Sequence, residues 1–395
     1  MSDVKPFRLF VIAGEPSGDN LAASFIKALR ARLAPRAVEL AGIGGPALEQ
    51  LGLVSRFQQN DIQIIGIFAV LQRLPTILGH IADTANAVID QAPDLVLTVD
   101  VPDFSLRVAK RVRRAAPSIP IVHWVAPTVW AWRPGRAKAM KPHVDHILAL
   151  LPFEPEAFSR LDGPPTTYVG HPLLDTASAI RPDTDEQRMR DNAAGPVILI
   201  LPGSRRSEIR SLLPIFREAV RLMGARFPHA RFVLPALEHL AEEISKEVAG
   251  WPVKPEVLLG NAAKNAAFRR ARAALAASGT VTLELALAGV PMVGAYRVHP
   301  LEGWVARRLI KVKTVLLCNL VLGESVVPEF LQEEATAADL AGAMMQIVTD
   351  GPQRQRQLEA FARLDTVMAL PAGRKSADLA VDAVLKLFPN GLAAQ

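Results

Sequence analysis

A single cysteine, Cys318, and only two tyrosines are found in a chain of 395 residues. One thiol excludes an intramolecular disulfide framework and fits a reducing compartment. Long apolar runs are scarce as well. The N-terminal stretch Phe7–Ala13 is too short for a signal-peptide core or a membrane span, which places the expected location in the cytoplasm. No segment has the G-x-G-x-x-G spacing of a dinucleotide site, and none of the eight histidines forms a His-x-x-x-His or Cys/His cluster. The only Asp-x-Asp, Asp183-Thr184-Asp185, lies in a polar, proline-bearing stretch away from any strand end. A divalent cation bridging a diphosphate is therefore not expected, and no other cofactor is implied. Neither internal repeats nor low-complexity segments occur.

What the chain does have is apolar content of 50%, ample for two cores, and a formal charge of +6 that favours anionic partners: phosphorylated small molecules, nucleic acid or an anionic membrane surface. Strand and helix patterns alternate along most of its length, as in parallel sheets covered on both faces. The spacing predicts strands at Arg8–Ala13, Val38–Ile43, Asp94–Val99, Ile119–Val125, Ile147–Leu151 and Thr167–Val169. Helices fall between them, notably at Leu21–Leu33, Ile77–Gln91 and Leu106–Ala115. Around Arg181–Asp185 the pattern lapses into a plausible linker. A second series follows at Val197–Leu201, Arg231–Leu234, Val257–Leu259, Ala273–Ala277 and Met292–Ala295, and residues 336–388 read as helices only. The expected fold is α/β of GT-B architecture: two Rossmann-like, doubly wound domains facing a central cleft. The boundaries are 1–178, 186–365 and a helical tail, 366–395, that returns to the first domain of its own or a partner chain.

Two strand-to-helix junctions in the second half read as phosphate sites. Ser278-Gly279-Thr280 follows the strand Ala273–Ala277 and supplies small residues where a helix must begin, so that free N–H groups and the positive dipole end face an anion. Glu284, one turn on from Thr280, shares its face and can accept both hydrogen bonds of a ribose diol. Gly203-Ser204-Arg205 follows the strand Val197–Leu201 in the same way, and Arg205 suits a diphosphate. Together they point to a nucleotide diphosphate.

In the first half, Ala13-Gly14-Glu15-Pro16-Ser17-Gly18-Asp19 forms a turn after the first strand. Pro16 lacks an N–H and Glu15 repels pyrophosphate, so this turn fits a neutral or sugar-like group better. Asp100 closes the strand Asp94–Val99, where ligands bind in open α/β sheets, and Asp103 is expected to cap the next helix. That leaves Asp100 free to act as the base that an inverting glycosyl transfer requires. A structural ion pair with an arginine is the alternative. His123, at a strand end, either orients a substrate or is a hydrogen-bonded structural histidine.

These segments, together with Ala126-Pro127-Thr128-Val129-Trp130-Ala131-Trp132-Arg133, Leu151-Pro152-Phe153-Glu154 and Gly170-His171-Pro172, resemble the lipid-A-disaccharide synthase family in the same order along nearly the whole chain. The resemblance implies an inverting, metal-independent transfer from UDP-2,3-diacylglucosamine to 2,3-diacylglucosamine 1-phosphate. Its products are the β-1,6-linked lipid A disaccharide 1-phosphate and UDP. It assigns Asp100 as base, with Glu15 the competing carboxylate, and Gly203, Ser204, Arg205, Ser278, Gly279, Thr280, Glu284 and Asn319 to the donor. Gly14, Ser17, His123 and Arg133 fall to the acceptor side. Ala126 and Thr128 depart from expected serines and Cys318 from an expected proline, which bears on acyl-chain preference more than on reaction type.

Acylated substrates would also give a role to Ile62–Leu78, an apolar segment that Gly66, Arg73 and Pro75 bar from spanning a bilayer. Peripheral association with the inner face of the inner membrane through Ile64, Ile67, Phe68, Val70, Leu71 and Leu74 is expected, as is a possible homodimer. Two rivals remain at this point. A UDP-sugar 2-epimerase shares the architecture but needs an acid/base set for proton abstraction. A nucleic-acid-binding module would use Arg107, Lys110, Arg111, Arg113 and Arg114 on one helix, but their spacing is that of a solvated face and no RNA-binding signature accompanies them, so no nucleic acid is expected.

Overall fold

The computed structural model describes residues 5–61, 67–192, 194–297 and 314–388, with residue 60 and residues 67–73 described by backbone alone. Twelve strands among the described residues form two parallel six-stranded sheets. The first holds β1 (Phe7–Ala13), β2 (Val38–Ile43), β3 (Leu95–Val99), β4 (Ile121–Trp124), β5 (His146–Ala149) and β6 (Thr166–Tyr168) in the order β2-β1-β3-β4-β5-β6. The second holds β7 (Val197–Leu201), β8 (Arg231–Ala236), β9 (Glu256–Leu259), β10 (Ala273–Ala277), β11 (Met292–Tyr296) and β12 (Glu329–Leu331) in the order β12-β11-β10-β7-β8-β9. Continuous apolar runs such as Leu95–Val99 and Ala273–Ala277 are buried along their whole length, as strands covered by helices on both faces must be. At three residues, with no alternation to betray it, β12 escapes the sequence reading.

Each sheet reverses its winding once, between β1 and β3 in the first and between β7 and β10 in the second. At such a point the loops leaving adjacent strands diverge and open a crevice beyond the carboxyl ends. Ala13 is registered with Val99 and Leu201 with Ala276, so Gly14 and Asp100 leave one edge side by side, and Gly203 and Ser278 leave the other. The fold thus brings together residues separated by 86 and 75 positions in the sequence.

The chain divides into one unit comprising residues 1–172 and 370–395 and a second comprising 173–369. The divisions fall earlier and later than the sequence reading placed them, because the polar stretch 181–185 is not a linker. Asp183 caps the helix Thr184–Asp191, accepting from the N–H groups of Asp185 and Glu186 at 2.9 and 2.8 Å, while Arg181 donates to Leu287 O at 3.0 Å. Both bind this segment to the second unit. In the tail, the helix Leu364–Val367 stays with the second unit, and the helix Ser376–Leu385 packs in its own chain against the helix Pro16–Leu33. Ala380, Val381, Ala383 and Val384 complete the core built on Phe7, Leu9, Phe25 and Leu29.

The helix Ile67–Gln91 starts ten residues before its expected beginning at Ile77 and runs through Pro75. Its later turns bury Ile81, Ala85 and Val88 against the helix Pro102–Ala115, whereas Leu74 and Leu78 are exposed. Ile64 and the side chains of Ile67, Phe68, Val70 and Leu71 lie outside the described residues.

Candidate active site

At the β7/β10 edge lies a cavity of about 690 Å³. Gly203, Ser204, Arg205 and Glu208 form one wall, 278–281 and Glu284 another, and Ala236–His239 with Gly260, Asn261 and Lys264 a third. Seven of the eight donor residues expected from the sequence meet in this one space. The helix Thr280–Leu287 begins at Gly279 with no side chain capping it, which leaves its N-terminal end directed at the cavity. Glu284 lies a turn deeper, its side chain 14% exposed, and pairs with Lys264 Nζ at 2.5 Å.

The loop after β7 is folded around a carboxylate. Glu208 accepts from the N–H groups of Ser204 and Arg205 at 3.1 and 3.3 Å and from the Arg205 guanidinium at 3.2 Å. Gly203 adopts φ +113°, and a Cβ there would stand 2.4 Å from the Glu208 carboxylate, so only glycine lets the loop close on it. One Arg205 nitrogen is held by Glu208 while the side chain stays 62% exposed, leaving the rest of its donor fork for a ligand anion.

Asn319 does not belong to this cavity. It is buried in the helix Leu317–Leu322; its amide donates to Val327 O at 2.9 Å and to Thr314 Oγ1 at 3.3 Å, and its carbonyl accepts from the N–H groups of Val326 and Val327. With both ends of the amide used, it clamps the chain entering β12 instead of meeting a ligand. Cys318 beside it is likewise buried, its thiol pushed up to about 12 by desolvation. The sequence reading missed Lys264 and Glu208. Glu208 was legible as the acidic residue of a first helical turn; Lys264 had no signal, since its partner is twenty residues away.

The β1/β3 edge of the first unit carries the carboxylates. Asp100 and Val101 both adopt left-handed backbone, φ +56° and +43°, costly for a β-branched valine. The strain is held by Asp100 N–H donating to Trp124 O at 3.0 Å, by Ser105 Oγ donating to Asp100 O at 3.0 Å, and by Val101 N–H donating to the Asp100 carboxylate at 2.9 Å. Burial raises the Asp100 carboxyl above the ordinary aspartate value, against the lowering effect of the Val101 N–H. Asp103 does not cap the helix Pro102–Ala115; it takes a hydrogen bond from Arg136 at 2.6 Å.

Around Asp100 the motif residues divide into surface and support. Glu15 is half-buried and Ser17 exposed at the start of the helix Pro16–Leu33, and Gly14 is buried beneath them. Gly18 sits where a Cβ would press to 3.3 Å on Val99, which brings this helix against the end of β3. Asp19 is support: it accepts from the N–H groups of Gly45 and Ala47, both at 2.8 Å. Arg133, φ +51°, stacks its guanidinium over Trp132 at 4.3 Å. His123, expected on the acceptor side, is wholly buried, its Nδ1 2.7 Å from Thr98 Oγ1. Burial and the nearby Arg136 push it down to about 4, so it is a neutral brace between β3 and β4 and not a surface group. Glu154 accepts from Leu150 N, Leu151 N and Trp130 Nε1, tying two of the sequence motifs together.

The sequence profile described as lipid-A-disaccharide synthetase matches residues 9–379. The chain belongs to the lipid-A-disaccharide synthase family. It is a glycosyltransferase. Relatives named lipid-A-disaccharide synthase include one from Rhodopseudomonas palustris (strain BisB18), 54% identical with 97% of this chain and 96% of that protein covered. Another, from Nitrobacter winogradskyi, is 52% identical over 96% of this chain and 95% of its own length. The fold recurs beyond the family. The crystal structure of UDP-GlcNAc 2-epimerase from Neisseria meningitidis bound to UDP-GlcNAc aligns with a TM-score of 0.61 at 12% identity, covering 96% of this chain and 99% of that one. The glycotransferase of kitacinnamycin aligns with a TM-score of 0.59 at 18% identity and the same coverage. At such identities only the two-domain GT-B architecture is shared, and it is the family match that separates this synthase from the epimerases.

Proposed function

We propose that the chain transfers the diacylglucosaminyl group of UDP-2,3-diacylglucosamine to the 6-hydroxyl of 2,3-diacylglucosamine 1-phosphate with inversion, using the β7/β10 cavity for the nucleotide and the β1/β3 edge for the acceptor and base. The observation that carries this reading is the convergence of Gly203–Arg205, Ser278–Thr280 and Glu284 on one cavity at a winding reversal. Exposed helix-start N–H groups and Arg205 suit the diphosphate, and a carboxylate one turn deeper suits the ribose diol. As the glycosidic C–O bond to the diphosphate breaks, charge develops on the leaving UDP, and these donors stabilise it without reorganising.

Asp100 removes the proton from the attacking hydroxyl. Its raised pKa supports the role, because a stronger base accepts a proton more readily. Glu15, one strand over, is the second carboxylate of that edge. The reaction needs no metal in this reading: Asp183, the first carboxylate of the only Asp-x-Asp, is committed to a helix cap. The exposed Leu74 and Leu78, beside the apolar segment 62–73, support peripheral contact with the membrane that holds the acyl chains. Among the described residues no helix is long and apolar enough to cross it.

Incubating pure protein with both acylated substrates and identifying products by mass tests the reading directly. Disaccharide 1-phosphate and UDP should form at equal rates with or without EDTA. Epimerised UDP-sugar in place of disaccharide would overturn the transfer, and loss of turnover in EDTA would overturn the metal-free mechanism.

A further inference from the structure

Glu284 is asked to hold a ribose diol inside a cavity that also receives a diphosphate, and an unaccompanied carboxylate is poorly suited to both tasks. It would repel the phosphates, and its oxygens could turn freely between the diol and other donors. Lys264 answers both difficulties. It reaches from the helix Asn261–Arg270 to Glu284 on the helix Thr280–Leu287, Nζ to Oε1 at 2.5 Å, and both side chains line the cavity. The lysine is itself held, with Nζ 5.4 Å from the centre of the Phe268 ring and its side chain only 29% exposed. Phe268 is fully buried, so the lysine lies over a rigid surface.

We propose that Lys264 is a positioning residue that fixes the Glu284 carboxylate for the ribose diol and thereby sets the donor site's preference for ribonucleotides over 2′-deoxyribonucleotides. The inference rests on the assignment of Glu284 to the ribose. By holding Oε1, the lysine restricts rotation of the carboxylate, which keeps acceptor capacity for the diol, and its charge offsets the carboxylate beside the incoming diphosphate.

Calorimetric titration of UDP and 2′-deoxy-UDP against wild type, Lys264→Met, Lys264→Arg and Glu284→Gln decides the matter. Wild type should prefer UDP by roughly tenfold, the worth of one hydrogen bond to a charged acceptor. In Lys264→Met, which keeps the chain length over Phe268, the preference should shrink to about twofold, and Lys264→Arg should retain most of it. Loss of affinity for both nucleotides by the same factor in Lys264→Met, with the tenfold ratio intact, would overturn the proposal and assign the lysine to the diphosphate directly. Should Lys264→Met fail to fold, Lys264→Gln gives the same comparison, and a wild-type ratio there overturns the proposal equally. Glu284→Gln separates the two claims: an unchanged ratio in that variant refutes the ribose assignment itself, whereas a collapsed ratio there with an intact one in Lys264→Met refutes only the role of the lysine.

Discussion

At the β7/β10 edge Arg205 is mostly exposed, the helix start at Gly279 is uncapped, and the polar groups face a cavity. In the first unit the reverse holds: Asp19, His123 and Glu154 are buried and bonded to backbone or neighbouring side chains, and Asp100 at the β1/β3 edge sits on strained backbone. The difference follows what each must do. A nucleotide diphosphate is bound by many donors of moderate strength, which need access to it and little tuning. A base is one group whose basicity and direction both matter, so its surroundings are fixed before the substrate arrives.

Four experiments would break or sharpen this contrast. The largest effect is expected at Asp100. Asp100→Asn should keep the fold and UDP affinity while lowering kcat by about two to four orders of magnitude. In wild type, kcat/KM should decline as pH falls through a value above the ordinary aspartate range, since burial raises this carboxyl and only its ionised form is a base. Near-wild-type turnover in Asp100→Asn would transfer the role to Glu15.

Glu154 comes next. Burial raises it to about 7, so the folded first unit holds a proton there that the unfolded chain has already released. Stability from this group is therefore full below the ordinary glutamate range and is lost as pH rises through about 7, an effect on the order of 3 kcal/mol. Between pH 5 and pH 8, urea unfolding should show wild type losing more stability than Glu154→Gln by about that amount, since the buried His123 contributes equally to both proteins; an identical pH dependence in the two would contradict the assignment.

At the other edge single changes should act on affinity and leave the fold intact. Arg205→Ala should weaken UDP binding by about ten- to a hundredfold, with melting temperature nearly unchanged because the side chain is exposed. A large stability loss without an affinity change would mean that the arginine braces the loop instead of binding the ligand. Smallest is the surface effect: Leu74→Ser combined with Leu78→Ser should reduce binding to anionic liposomes severalfold, about 1 kcal/mol, without altering UDP affinity. Equal retention of both proteins on liposomes would remove these leucines from any membrane contact.

How much was legible beforehand follows the same division. The phosphate junctions and Glu284 could be read because strand, small residues and helix are contiguous in sequence, and the register of β7 with β10 then had only to bring two readable pieces together. Asp100 was legible as a strand-end carboxylate. Asn319 and His123 have polar atoms that could serve a ligand, and only tertiary partners such as Val327 and Thr98 reveal that they are already engaged; Asp103, expected to cap a helix, is taken instead by Arg136 from another segment. Lys264 was invisible because its partner lies on another helix. The polar stretch at 181–185 looked like a linker because a capped helix start and a connection share the same residue types.

The return of the chain to its first unit has a consequence for synthesis. Phe25 and Leu29 on the helix Pro16–Leu33 share a core with Val381 and Val384 of the helix Ser376–Leu385, which is translated more than three hundred residues later. Ser376 Oγ donates to Gly170 O at 2.8 Å, so the same late helix also fastens the point where the first unit ends. The second unit, by contrast, is encoded without interruption between 173 and 369 and is complete before the first unit can be. The growing chain must therefore carry an uncovered apolar face while the nucleotide-binding half is made. Ribosome-bound chains truncated between 369 and 376 should expose that face to hydrophobic probes.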